Sequence, residues 1–86
     1  MTEPIHHPAP HPLVAQVRVF SLYAGLVDGV PITAPPLGDI QNVVISILQQ
    51  RAQQLGRPAM AHVQDERYGS DIRLLIHPDG STEALD

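Results

Sequence analysis

Apolar residues recur at helical spacing through residues 39–56, and this pattern predicts one amphipathic helix. Its apolar stripe consists of Ile40, Val43, Val44, Ile47, Leu48 and Leu55. Asp39 suits the N-cap, because its carboxylate accepts hydrogen bonds from the free backbone amides of the first turn. Gly56 suits the left-handed position after the last turn, and Pro58 prevents continuation. The sequence therefore specifies both ends of this helix.

Before the helix, residues 13–27 have the alternation and the β-branched content of a strand. The apolar positions are odd-numbered up to Val19 and even-numbered from Phe20 onward. A strand whose apolar face changes side in this way commonly carries a bulge. We place that bulge at residues 19–21.

The dipeptide Asp28-Gly29 follows this strand and favours a two-residue hairpin turn, because both of its residues need positive φ. The return strand, Val30 to Thr33, is short. Pro31 has no backbone N–H to donate, so it confines this strand to an edge of the sheet.

After the helix, residues 59–67 and 71–77 read as two strands of a second hairpin. A type II′ turn with Gly69-Ser70 at its centre would join them. The resulting register pairs Glu66 with Arg73, Val63 with Ile76 and His62 with His77. A further turn then leads to a short last strand over residues 82–85.

The order β-β-α-β-β(-β) predicts an α+β fold, a small two-layer sandwich with one helix packed on an antiparallel or mixed sheet. The connection through the helix allows two strands to pair in parallel, which would give a β-grasp-like arrangement. The chain has 86 residues and no cysteine, so it forms one small domain without disulfides. Homodimerisation is a plausible source of extra stability for a core of this size.

The first twelve residues hold four of the nine prolines and three of the five histidines. We expect a flexible Pro/His-rich tail over residues 1–12 and the single folded domain over residues 13–86. His6, His7 and His11 are close enough to chelate a metal, but a functional site needs ligands in fixed positions. No metal or other cofactor is therefore expected.

The net charge is −4, and the five arginines are dispersed along the chain, which argues against nucleic-acid binding. No apolar run reaches the length of a membrane span, and the N-terminus lacks the order of a signal peptide. We expect a soluble cytoplasmic protein.

The first functional hypothesis is a non-catalytic protein-interaction or oligomerisation module that binds a protein partner or a second copy of itself. Val30 and Ile32 would bind through the edge strand over residues 30–33, or the strand over residues 82–85 would serve as the open edge. Met60 and Leu75 would bind through a small apolar patch. Arg51 lies within the apolar stripe of the helix. It either extends its guanidinium into solvent or pairs with a partner or with a strand carboxylate such as Asp65.

The alternative hypothesis is a small enzyme or a metal-dependent ligand-binding domain. It would use His62 and His77, which the predicted register places side by side, with Glu66 or Asp65 nearby. The chain has no recognisable nucleophile, phosphate or metal motif, so an enzyme is the less favoured of the two.

Overall fold

The structure is a computed structural model, and it describes residues 14–85. The predicted tail, residues 1–12, lies outside the described residues. The elements in chain order are β1 (Val14–Val19), β2 (Ala24–Val27), β3 (Val30–Thr33), α1 (Ile40–Leu55), β4 (Ala59–Asp65), β5 (Ser70–Ile76) and β6 (Thr82–Ala84). Within this range, no helix has the length and apolarity needed to cross a membrane.

One helix packs against a six-stranded mixed sheet, which confirms the predicted α+β class. The strand order is β3-β2-β1-β4-β5-β6. Neighbouring strands pair antiparallel except for β1 and β4, which are parallel. A parallel pair needs a long crossover connection, and the chain supplies it through α1.

Both ends of α1 form as predicted. The Asp39 carboxylate accepts a hydrogen bond from the Gln41 backbone N–H at 2.8 Å. Gly56 adopts φ +69°, and its N–H donates to the Ala52 carbonyl oxygen at 2.8 Å. Leu55 departs from the prediction, because it lies in the last turn outside the core and is 55% exposed. Ala52 is buried instead.

The core between α1 and the sheet is aliphatic. Its central cluster consists of Ala15, Val17, Val19, Val27, Ile40, Val44, Leu48, Ala61 and Ile76. These residues come from α1 and from four of the six strands. The alanines on β1 and β4 leave space for the helix to lie close to the central parallel pair.

The predicted bulged strand over residues 13–27 is wrong. The chain turns back at residues 20–23, so that β1 and β2 form an antiparallel hairpin with Val19 opposite Gly25. The change of apolar parity marks this reversal rather than a bulge. Gly25 permits the close pairing, because a β-carbon there would lie 2.5 Å from the Arg18 carbonyl oxygen.

The second turn of this region is confirmed. Asp28 and Gly29 have φ values of +50° and +81°, and Val27 lies directly opposite Val30. These are the features of the two-residue hairpin turn that the dipeptide favours. The strand that follows, β3, lies at the edge of the sheet as predicted.

The predicted register of the second hairpin is wrong by four positions. Asp65 lies opposite Ser70, so the loop contains the four residues 66–69 rather than two. The Asp65 carboxylate accepts from the Arg67 backbone N–H at 3.0 Å and so starts the turn early. Gly69 then takes the left-handed conformation, with φ +67°. His62 therefore lies opposite Arg73 rather than His77.

Candidate functional site

Three connecting loops meet at one end of the sheet. Because β1, β3 and β4 run in the same direction, the loops that follow them lie at the same end. These loops are residues 20–23, 34–39 and 66–69, and we call this surface the loop end. In open sheets, ligands commonly bind beyond the carboxyl ends of parallel strands.

The loop end carries most of the large apolar side chains that residues 14–85 expose. Five of the eight lie there, including all three aromatic residues of the chain. They are Phe20 and Leu22 (each 42% exposed), Tyr23 (46%), Leu37 (102%) and Tyr68 (76%). Aromatic side chains dominate the energetics of cores and of protein interfaces alike. In this chain they lie at the surface, which makes the loop end the main candidate for binding.

Backbone hydrogen bonds hold the first two loops against each other and anchor the third, through Glu66, to the end of β1. The Leu22 carbonyl oxygen accepts from the Ile40 N–H at 2.8 Å, which joins the first loop to the start of α1. The Tyr23 carbonyl oxygen accepts from the Ala34 N–H at 2.9 Å. The apolar side chains therefore project from a backbone whose shape is fixed before any partner arrives, which reduces the entropy lost on binding.

Two arginines lie over aromatic rings at this end. The Arg18 guanidinium carbon is 5.3 Å from the centroid of the Phe20 ring, and that of Arg67 is 4.9 Å from the centroid of the Tyr68 ring. Both distances fall within the range of a cation–π interaction. The contacts restrict the motion of Phe20 and Tyr68 although both rings are exposed.

Each of these arginines is also paired with a carboxylate. Arg18 pairs with Glu66, and Arg67 donates to both carboxylate oxygens of Asp65 at 2.9 and 2.7 Å. The hydrogen bond from Arg67 lowers the pKa of Asp65 below its ordinary value, and Asp65 in turn raises the pKa of Arg67. The positive charges at the loop end are thus neutralised within the chain, which suits an uncharged partner surface better than a polyanion.

A small apolar cavity of about 120 Å³ adjoins the loop end, between α1 and the last part of the sheet. Its apolar lining includes Val44 and Ile45 from α1, Val63 from β4, and Ile72 and Leu74 from β5. The Asp65–Arg67 ion pair lines it as well. The cavity has the character of a pocket for one apolar group with a polar border.

The structure brings together two of the residues that the sequence singled out. Met60 and Leu75 are direct cross-strand neighbours, with Val14 on the other side of Met60. All three are half-buried and lie on the face of the sheet opposite α1. They form a short apolar row rather than a broad patch.

The edge-strand candidates lie elsewhere. Val30 is 62% exposed, whereas Ile32 packs against the core. The strand that holds them has four residues, and Pro31 deprives it of one donor. Short edges and edge prolines are features that discourage strand addition.

Arg51 is held within the chain. Its Nη1 donates to Asp28 Oδ2 at 2.6 Å, and both side chains are largely buried, at 14% and 17% exposure. Asp65, the strand carboxylate that the sequence offers as its partner, is instead paired with Arg67. Arg51 therefore joins the helix to the Asp28-Gly29 turn.

The predicted pair of His62 and His77 is not formed. The shifted register places His77 four residues along β5 from the position opposite His62, or about 13 Å at the usual rise per residue. His62 contacts Gln16 and Asp71, whereas His77 contacts Glu83. Within residues 14–85, no three His, Asp or Glu side chains converge as a metal site would require.

Comparison of the chain with protein-family models, with curated proteins and with solved structures gives no match.

Sequence reasoning missed the residues of the loop end. The sequence pattern places Phe20 and Leu22 on the apolar face of a continuous strand and Tyr68 next to the predicted Gly69-Ser70 turn. The sequence signal at this position is the change of apolar parity between Val19 and Phe20, which fits a reversal of the chain as well as a bulge.

Proposed function

We propose that this chain is a non-catalytic protein-interaction module and that the loop end is its contact surface. The observation that carries the proposal is the placement of all three aromatic residues, exposed, on loops at one end of the sheet. Interface centres are enriched in tyrosine and arginine relative to the rest of a protein surface. The loop end has both.

The rigidity of the loops supports the same proposal. Mobile loops lose conformational freedom on binding, and that loss weakens the complex. Here the loop after β1 is tied by backbone hydrogen bonds to the start of α1 and to Ala34, just after β3. The arginine stacks limit the freedom of Phe20 and Tyr68 further.

The edge strands are weaker candidates for the contact surface. Both edges of the sheet are short, since β3 has four residues and β6 has three. The row formed by Val14, Met60 and Leu75 is half-buried and offers little free apolar area. The function proposed is that of the first sequence hypothesis, with its surface moved to the loop end.

Site-specific photo-crosslinking tests this proposal. A benzophenone amino acid replaces Tyr23 or Tyr68 in the full chain, and the variants are irradiated in cells of the source organism. Leu55 is the matched control, because it is also about half exposed but lies at the other end of α1. We expect a protein adduct of the same discrete mass from both tyrosine positions and none from Leu55.

A Phe20→Ala substitution in the Tyr68 crosslinking chain should weaken that adduct severalfold, since Phe20 belongs to the same surface. The absence of adducts at both tyrosine positions, or equal adducts at Leu55, would contradict the proposal. Circular dichroism of each variant establishes that the fold is retained.

A further inference from the structure

The side chain of Leu37 stands out among the exposed residues of the loop end. It is 102% exposed, so it makes almost no contact with the rest of the chain. It lies in a tight turn in which the Gly38 N–H donates to the Pro35 carbonyl oxygen at 2.8 Å. Pro35 and Pro36 fix the backbone on one side of Leu37. The turn therefore presents a leucine side chain from a constrained backbone.

The cavity between α1 and β5 is complementary to such a side chain. Its volume is about 120 Å³, and a cavity of about 150 Å³ holds a benzene ring. Its apolar lining comes from aliphatic residues, among them Ile45 and Ile72, and Ile72 is 46% exposed. An isobutyl group matches both the size and the chemistry of this space.

The protruding leucine and the cavity lie at the same end of the molecule. Leu37 belongs to the loop that joins β3 to α1, whereas the cavity lies between the first turns of α1 and the strands β4 and β5. The loop with Phe20 and Tyr23 lies between them, because it joins β1 to β2.

We infer that the partner of the loop end is a second copy of this chain, related by a two-fold axis, with Leu37 of each copy seated in the cavity of the other. A two-fold axis through the loop end places both leucines opposite both cavities at once, so the assembly closes as a dimer. The aromatic loop then lies near the axis. The internal pairing of Arg18 with Glu66 and of Arg67 with Asp65 prevents repulsion between arginines of the two copies.

This inference rests on the proposed function and names its partner. Disulfide trapping tests it directly, because the chain has no cysteine of its own. Full chains with Leu37→Cys and with Ile72→Cys are mixed and oxidised. We expect the mixed disulfide to exceed either homodisulfide at least fivefold. Leu55→Cys mixed with Ile72→Cys is the matched control, and it should form little.

Sedimentation equilibrium gives an independent readout. Leu37→Asp should raise the dimer dissociation constant at least tenfold, whereas Leu55→Asp should leave it unchanged. Because Leu37 is fully exposed in the single chain, its substitution should not alter the thermal midpoint at concentrations where the wild type is monomeric, and melting curves recorded there check this. A chain that stays monomeric at several hundred micromolar would overturn the inference, as would a Leu37→Asp variant that dimerises like the wild type.

The two proposals fail in different ways. A monomeric chain whose Tyr68 photo-adduct contains a different protein would refute the second copy as partner and leave the interaction module intact. A monomeric chain without any adduct at Tyr23 or Tyr68 would refute both. A dimer without the mixed Leu37–Ile72 disulfide would refute the proposed geometry.

Discussion

The contact between Asp28 and Arg51 yields the most decisive stability prediction. The Asp28 carboxylate accepts from the Gln16 N–H at 2.7 Å and from Arg51 Nη1 at 2.6 Å. It therefore joins the turn after β2 both to β1 and to α1. Asp28 also has φ +50°, a conformation that aspartate tolerates better than alanine does. The change to make is Asp28→Ala, beside Asp28→Asn.

The expected magnitude follows from these contacts. Two hydrogen bonds to a charged group contribute about 1.5–3 kcal/mol each when partly buried, and alanine in the left-handed region costs about 1 kcal/mol. These terms sum to a loss of about 4–7 kcal/mol for Asp28→Ala, comparable to or above the about 3–5 kcal/mol that one small core supplies. Asn keeps the acceptor for Gln16 and the left-handed conformation, so Asp28→Asn should lose only about 1–2 kcal/mol.

Urea unfolding followed by circular dichroism measures these differences. The free energy of unfolding of a domain of this size falls by about 1 kcal/mol per molar urea, so Asp28→Asn should lower the urea midpoint by about 1–2 M. A double-mutant cycle with Arg51→Met, which keeps the aliphatic stem, isolates the ion pair. We expect a coupling energy of about 1–2 kcal/mol, between the values for exposed and buried pairs.

A coupling energy below about 0.3 kcal/mol would refute the reasoning, because that is the scatter expected of independent sites. The cycle also bears on function. If Arg51→Met left stability unchanged but weakened self-association, Arg51 would contact a partner and would not stabilise the packing of the helix on the turn.

Three further predictions concern single positions. The pKa of Asp65 is lower in the folded chain than in the unfolded chain, where it is about 3.9. The pairing of Asp65 with Arg67 therefore stabilises the fold above that pH, and this stabilisation is lost as the pH falls through the lower pKa of the folded chain. Asp65→Asn should thus cost about 1 kcal/mol at pH 7 and progressively less as the pH falls below about 3.9, by urea unfolding at several pH values. Gly25→Ala should cost about 2–3 kcal/mol, because its β-carbon would meet the Arg18 carbonyl oxygen at 2.5 Å. At Gly56 an added β-carbon would meet open space, so Gly56→Ala should cost only the penalty of about 1 kcal/mol for alanine in the left-handed conformation. Thermal melting of the Gly25 and Gly56 variants therefore distinguishes a steric clash from a backbone preference.

The parts of the fold that the sequence predicts correctly depend on local chemistry. Asp39 caps the helix with its own side chain, and Gly56 ends it by adopting positive φ. Asp28-Gly29 forms its turn for the same kind of reason. Each of these features involves groups a few residues apart, so their outcome does not depend on the rest of the chain.

The register of the second hairpin could not be predicted from local chemistry alone. Two turns compete for the same segment, one centred on Gly69-Ser70 and one that begins at Asp65. The second prevails because Asp65 accepts from the Arg67 backbone and pairs with its guanidinium, while Gly69 closes the loop. The incorrect register placed His77 next to His62, and the second functional hypothesis depended on that placement.

The loop end was beyond the reach of sequence patterns for a different reason. Its three loops come together only because β4 pairs in parallel with β1, and these strands are separated by β2, β3 and the whole of α1. A pairing between such distant segments leaves no periodic signal in either. The exposure of Leu37 likewise follows from the position of its turn at the end of the sheet, not from its neighbours in sequence.

The composition of the core explains why the aromatic residues are available for binding. Where α1 crosses the sheet, the buried positions include Ala15, Ala52 and Ala61, whose small side chains let the helix lie close to the strands. A phenyl ring in that layer would force helix and sheet apart at a cost of about 1–3 kcal/mol. A ring left at the surface lacks the about 1.5–3 kcal/mol of stabilisation that its burial would contribute. A domain without disulfides can recover that burial free energy by association, and the rings exposed at the loop end are available for such a contact.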